Sequence, residues 1–188
     1  MTTEATRKKA WIFHGYAASP EDHWFPWLAK ELDAAGIPTT IPALPAAEDP
    51  DPVRWVDAVR ATVGQPDEDS IIVAHSLGCL TVLRHLSTLS GPWRLGALVL
   101  VSGFVDRLPA LPSLDSYIES GCDVQGLGDH VGRLTLIRSD EDPFVPTGHT
   151  DRLARLLGTS ARVVPGAGHF LASEGITSLR EVLDAVTP

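Results

Sequence analysis

A chain of 188 residues, 44% of them hydrophobic and 21% charged, suits one well-buried domain over residues 1–188 and is short for two. Its formal net charge of −9 argues against a nucleic-acid partner, whose phosphates reward clustered Lys and Arg, and no apolar run approaches the roughly 20 residues that cross a bilayer. The polar stretch Met1 to Lys9 lacks a signal-peptide core, and Cys79 and Cys122 make neither a disulfide framework nor a metal-ligand spacing, so the expected setting is a reducing cytoplasm.

Lys9 to Phe13 reads as a short strand ending at His14-Gly15-Tyr16. Ser19 as N-cap, Pro20 and Asp22 form a helix-start signal. Trp24, Leu28 and Leu32 then share one helical face until Gly36 and Pro38. A second strand, Pro38 to Ile41, runs into a proline-rich connection. Asp51-Pro52 opens a helix with Trp55, Val56, Val59 and Val63 facing inward. Ile71-Ile72-Val73-Ala74 reads as a strand buried on both faces. After Ser76 the period changes, and Leu80, Leu83, Leu86 and Leu89 recur at helical spacing until Gly91-Pro92.

Leu95 to Val101 is the fourth strand, ending at Ser102-Gly103. From Phe104 to about His130, prolines and glycines predict a short irregular excursion with one small helix. Leu134 to Arg138 is the fifth strand, followed by a helix carrying Leu153, Leu156 and Leu157. Arg162 to Val164 is the sixth, ending in Pro165-Gly166-Ala167-Gly168-His169-Phe170, and a last helix aligns Ile176, Leu179, Leu183 and Val186. Strands alternating with helices predict an α/β fold: a doubly wound, mostly parallel six-stranded sheet. With strand order 2-1-3-4-5-6 the winding reverses between strands 1 and 3, where such sheets bind ligands.

That crevice receives Ser76, at a strand-to-helix turn of the nucleophile-elbow kind, with Ala74 where glycine is usual. A serine hydroxyl needs a base to take its proton and a third group to orient that base. His169 follows the last strand, and Asp142 follows the fifth. The order Ser76, Asp142, His169 is the one expected of α/β-hydrolases. Asp140, Glu141 and Asp106 are rival acids, the last following strand 4, and Ser102 reads as a turn residue. Two backbone N–H groups, Leu77 after the nucleophile and Tyr16 after strand 1, are expected to form the oxyanion hole.

The runs His14-Gly15-Tyr16, Ser19-Pro20, His23-Trp24-Phe25-Pro26-Trp27-Leu28, Ala74 to Cys79, Asp142-Pro143-Phe144-Val145-Pro146 and Gly168-His169-Phe170 resemble the small serine hydrolases of the retinoblastoma-binding protein nine and YdeN type, over essentially the whole chain. The resemblance implies a minimal α/β-hydrolase without a large cap, a Ser76–Asp142–His169 triad, and activity on carboxylic esters or related acyl compounds. Leu77-Gly78-Cys79-Leu80-Thr81 departs from the L-x-C-x-E peptide that retinoblastoma-protein binding needs, so that partner is not carried over.

The expected function is a serine hydrolase acting on a small-molecule acyl substrate through an acyl-enzyme, with no metal or organic cofactor required. An acyltransferase or perhydrolase using the same triad, and a non-catalytic binding protein on this fold, are the alternatives. His75, Trp24 and Trp27 are candidates for substrate contact, against a packing role for each. His14 reads as a loop-orienting hydrogen-bonder, and Cys79 as buried packing.

Overall fold

The computed structural model describes residues 8–187; the first seven residues of the polar Met1–Lys9 stretch lie outside it. Six strands form one sheet in the order β2-β1-β3-β4-β5-β6, every neighbouring pair parallel. They are β1 (Lys9–Phe13), β2 (Thr39–Thr40), β3 (Ser70–His75), β4 (Leu95–Val101), β5 (Val131–Ser139) and β6 (Ala161–Val164). Between them run α1 (Phe25–Ala34), α2 (Pro52–Val63), α3 (Leu77–Ser87), the short α4 (Asp115–Ile118) and α5 (Thr147–Leu156), with α6 (Arg180–Val186) last.

Successive strand residues point to opposite faces, and the sequence alternates its bulk accordingly. Ala10, Ile12, Ile71, Val73, Val99 and Ile137 pack under α1 and α6. Trp11, Phe13, Ile72, Leu98, Leu100 and Leu136 pack under α2, α3 and α5. Both faces of the sheet are therefore covered, which is why β3 is buried at every residue and reads as an unbroken apolar run. Among the described residues no helix is long and apolar enough to cross a membrane.

Four elements depart from expectation. Helix α1 begins at Phe25 rather than after Ser19: Asp22 Oδ2 accepts the Ser19 N–H at 2.7 Å, Asp22 N–H donates to Ser19 O, and His23 follows at φ +54. The capping pattern is thus spent on a closed turn, and a left-handed residue separates it from the helix. Strand β2 shrinks to two residues between Pro38 and Pro42, which cannot donate to a ladder. Strand β5 extends back to Val131, and Arg133 leaves it to donate to Val186 O and Thr187 O at the end of α6. The last helix starts only at Arg180, because a 3-10 turn at Ala172–Glu174 and a left-handed Gly175 intervene. Leu153 on α5 and Leu157 just after it are buried, while Leu156 is 43% exposed.

The excursion is a packed element. A 3-10 turn at Pro112–Leu114 runs into α4, and Leu114, Tyr117, Ile118 and Val124 are buried. Arg84 on α3 donates to Tyr117 O, Ile118 O and Gly121 O at 2.8 to 3.3 Å. Thr81 Oγ1 donates to Leu77 O and accepts from the Tyr117 hydroxyl at 2.7 Å. Burial pushes the Tyr117 hydroxyl up to about 12, so it remains a donor at any ordinary pH.

Candidate active site

Ser76 closes β3 with φ 55 and ψ −124, a left-handed conformation that costs a non-glycine residue free energy and is held by its surroundings. Its N–H donates to Val101 O at 2.9 Å, and its carbonyl accepts the Cys79 N–H. Ala74, where glycine is usual, is completely buried. Gly78 is required for space: a Cβ there would fall on the His14 carbonyl. A Cβ at Gly15 would come within 3.0 Å of both the His75 carbonyl and Ser76 Cβ. The loop after β1 and the turn after β3 therefore interlock backbone to backbone.

The Ser76 Oγ–H donates to His169 Nε2 at 3.0 Å, and His169 Nδ1–H donates to Asp142 Oδ2 at 2.8 Å. Asp142 is saturated. Its Oδ1 accepts the N–H groups of Phe144 and Val145, each at 2.9 Å, and Oδ2 also accepts the Ser102 hydroxyl at 2.8 Å. Burial pushes the Asp142 carboxyl pKa up, but the His169 hydrogen bond and charge, with the two backbone donors, outweigh it and hold the group below its ordinary value. It is a carboxylate at neutral pH.

The loop bearing His169 is fastened from two sides. Glu174 Oε2 accepts the His169 and Leu171 N–H groups at 2.8 and 3.0 Å, and His75 Nε2–H donates to the His169 carbonyl at 2.8 Å. The two imidazole centroids lie 4.8 Å apart. Burial, then the neighbouring His169, drive the His75 pKa far below its usual value; the ring is neutral. His14 accepts the Leu44 N–H at Nε2 and donates from Nδ1 to Gly15 O, both at 2.9 Å, ordering the loop that carries Tyr16.

A cavity of about 250 Å³ opens over Ser76 and His169, lined by Tyr16, Ala17, His23, Leu111, Phe144 and Leu171. Leu77 holds the first position of α3, where an N–H lacks an intrahelical acceptor, and the Tyr16 N–H has no acceptor among the described residues. Hollows of about 350 and 580 Å³ lie elsewhere, but neither contains a serine beside an imidazole.

Several expectations are corrected. Trp24 does not line the cavity: it is fully buried against Phe25 and His75. Trp27 packs on the α1–α6 core, and His75 lies beneath the loop that bears His169 rather than in the cavity. Helical spacing put the tryptophans inside, as that spacing most often does. Of the rival acids, Asp106 pairs with Arg152 at 2.8 and 2.9 Å, Asp140 accepts the Gly166 N–H, and Glu141 is exposed. Cys79 is sealed and donates weakly to Val101 O, its thiol pKa pushed up by burial. Ser102, read as a turn residue, instead reaches Asp142; it ends β4 on the same edge as Ser76, the signal that would have found it. Glu174 and the lining residues His23, Leu111, Phe144 and Leu171 were also missed.

The profile of the serine hydrolase family matches residues 10–187. This chain belongs to that family. Among its relatives, this serine hydrolase is 38% identical to YdeN of Bacillus subtilis strain 168 over 180 residues, 96% of this chain and 95% of that one. The crystal structure of the B. subtilis ydeN gene product superposes with a TM-score of 0.90, covering 94% of this chain and 95% of the other. The serine hydrolase RBBP9 of Rattus norvegicus is 24% identical over 173 residues, 88% of this chain and 87% of its own. Est1E from Butyrivibrio proteoclasticus, at 15% identity, shares the fold with a TM-score of 0.68, covering 98% of this chain and 90% of that one. The fold of the family is the α/β-hydrolase sheet, here without a large cap.

Proposed function

We propose that this serine hydrolase cleaves small carboxylic esters through an acyl-enzyme. Ser76 Oγ attacks the carbonyl while His169 Nε2 takes its proton, and Asp142 holds the imidazole in the required tautomer and stabilises it once charged. The N–H groups of Leu77 and Tyr16 receive the negative oxygen of the tetrahedral intermediate. His169 then returns the proton to the departing alcohol, and a water activated by the same imidazole releases the acid.

The observation that carries this reading is the unbroken hydrogen-bonded run from Ser76 through His169 to Asp142, opening into a cavity of about 250 Å³. That volume falls below the roughly 300 Å³ at which sites for drug-sized ligands begin. Its lining is largely hydrocarbon, which supports short acyl groups. The two unpaired thiols, Cys79 and Cys122, fit a cytoplasmic setting.

A fluorophosphonate probe is expected to label the wild-type protein at Ser76 and to leave Ser76→Ala unlabelled. On nitrophenyl esters of increasing acyl length, the wild type should turn over the short members, and Ser76→Ala should lose at least about 10³ in kcat. Folded wild-type protein that neither labels nor hydrolyses any ester would refute the proposal. Product analysis in the presence of an alcohol distinguishes water from a second acyl acceptor.

A further inference from the structure

In the block from His23 to Trp27, Trp24 and Phe25 go to the core and Trp27 packs against it. Only His23 reaches the cavity. Outside Ser76, His169 and the Tyr16 phenol, the lining is hydrocarbon, from Ala17, Leu111, Phe144 and Leu171. A histidine in that company needs an explanation.

The ring is fixed in place. His23 adopts φ +54, a left-handed conformation unfavourable to a residue with a Cβ. Its Nδ1 accepts the Ala172 N–H at 3.0 Å. Its ring meets those of Phe25 and His75 edge-on, at centroid distances of 5.4 and 5.9 Å. With Nδ1 used as an acceptor, the proton of the neutral ring resides on Nε2. Burial, with the nearby His169, lowers the His23 pKa against the opposing pull of Asp22, so neutral is the resting state. Among the described residues Nε2 has no hydrogen-bond partner, and it is not one of the sealed, unpartnered atoms.

We propose that His23 is a specificity-determining residue whose Nε2–H donates to an acceptor oxygen in the group seated in the cavity. The preferred substrates are then short esters bearing an ether, hydroxyl or carbonyl oxygen beyond the scissile bond, selected over their all-carbon counterparts. This rests on the ester-hydrolase reading above. A site built to donate to a substrate oxygen discriminates against the analogue lacking it, because the donor is then stranded.

Two variants separate donation from support. His23→Asn places its amide oxygen where Nδ1 stands, retains the Ala172 bond and tolerates a positive φ, but ends short of the cavity. His23→Gln carries an amide N–H to the Nε2 position and surrenders the Ala172 bond. For each protein, kcat/KM is measured on matched esters in which one methylene, stepped along the acyl or alcohol chain, is replaced by an ether oxygen. The inductive effect of that oxygen is common to all three proteins and cancels in the comparison. Wild type and His23→Gln are expected to favour the ether ester at one oxygen position, and His23→Asn to lose about tenfold of that selectivity. Equal selectivity in wild type and His23→Asn at every position overturns the assignment, as does a loss confined to His23→Gln.

A readout independent of turnover keeps the two proposals apart. In Ser76→Ala, the His23 ring N–H resonance is followed by NMR during titration with each ether ester and its all-carbon counterpart. A shift with the ether ester alone supports donation even if wild type proves inactive. No shift, or equal shifts with both, refutes it even if wild type hydrolyses both.

Discussion

The Asp142 carboxylate accepts four hydrogen bonds, from His169, Ser102, Phe144 and Val145, and only the first belongs to the proposed Ser76–His169–Asp142 relay. Ser102 and His169 share Oδ2, so the hydroxyl withdraws charge from the oxygen that faces the imidazole. Ser102 is buried, at φ +49, with its N–H held by Ile137 O; the backbone is set so that the hydroxyl points at the acid. Ser102→Ala removes one of the bonds that hold the acid in line with the imidazole, and the lost alignment should lower kcat/KM by up to about tenfold. It should also raise the acid limb of the pH–rate profile, because a carboxylate with its charge undiluted stabilises imidazolium more. A merely structural role would lower the melting temperature and leave that limb in place. Removing the acid's charge by Asp142→Asn should cost on the order of 10⁴ in kcat, measured on the same esters.

Arg84 governs the excursion at the scale of elements. Three carbonyls at the end of α4 and just beyond it converge on one guanidinium, which also lies 5.4 Å from the Tyr117 ring centroid. Arg84→Met keeps much of the hydrocarbon stem but strands those carbonyls, and should cost about 2–3 kcal/mol in urea denaturation. It should also open residues 104–130 to limited proteolysis; wild-type resistance in the variant would mean that side-chain burial alone holds the segment. None of this was legible in the sequence, because residues 33 to 37 positions apart carry no periodic signal. The regular elements were legible wherever burial on both faces wrote an unbroken apolar run, as in β3 and β4. Alternation and chirality left few ways to wind six strands, and the expected order 2-1-3-4-5-6 is the one found. Sequence reasoning went astray where a motif had two local solutions: Ser19 to Asp22 satisfies either a helix cap or a closed turn, and the left-handed His23 decides for the turn. The candidate relay was legible for a different reason, since each of its members lies in the loop or turn that follows a strand on the same edge. Ser102 obeys that logic too, but its partner is 40 residues away and no helix follows it.

Across the whole molecule, three enclosed histidines couple stability to pH. His14, His75 and His85 have pKa values below the usual 6.5, burial being the leading cause in each. The unfolded chain takes up protons near pH 6.5 that the folded chain refuses. Their contribution is therefore complete above that pH and is lost as the pH falls through it toward the folded values. Each such histidine costs up to about 1.4 kcal/mol per pH unit in that window, His75 over the widest span. Asp142, whose pKa is depressed from 3.8, adds a further loss only below that value. The urea midpoint should fall progressively from pH 7 to pH 5; a constant midpoint over that range would count against neutral burial of these rings.

The tether between α3 and the excursion has one further effect. Leu111, on one wall of the cavity, belongs to the segment that Arg84 and Thr81 tie to α3, the helix that follows Ser76. A wall braced in this way resists being pushed aside by a longer chain. Activity against acyl length should accordingly end in a step rather than a gradual decline, and loosening the tether should blunt the step before it reduces the rate on the shortest esters.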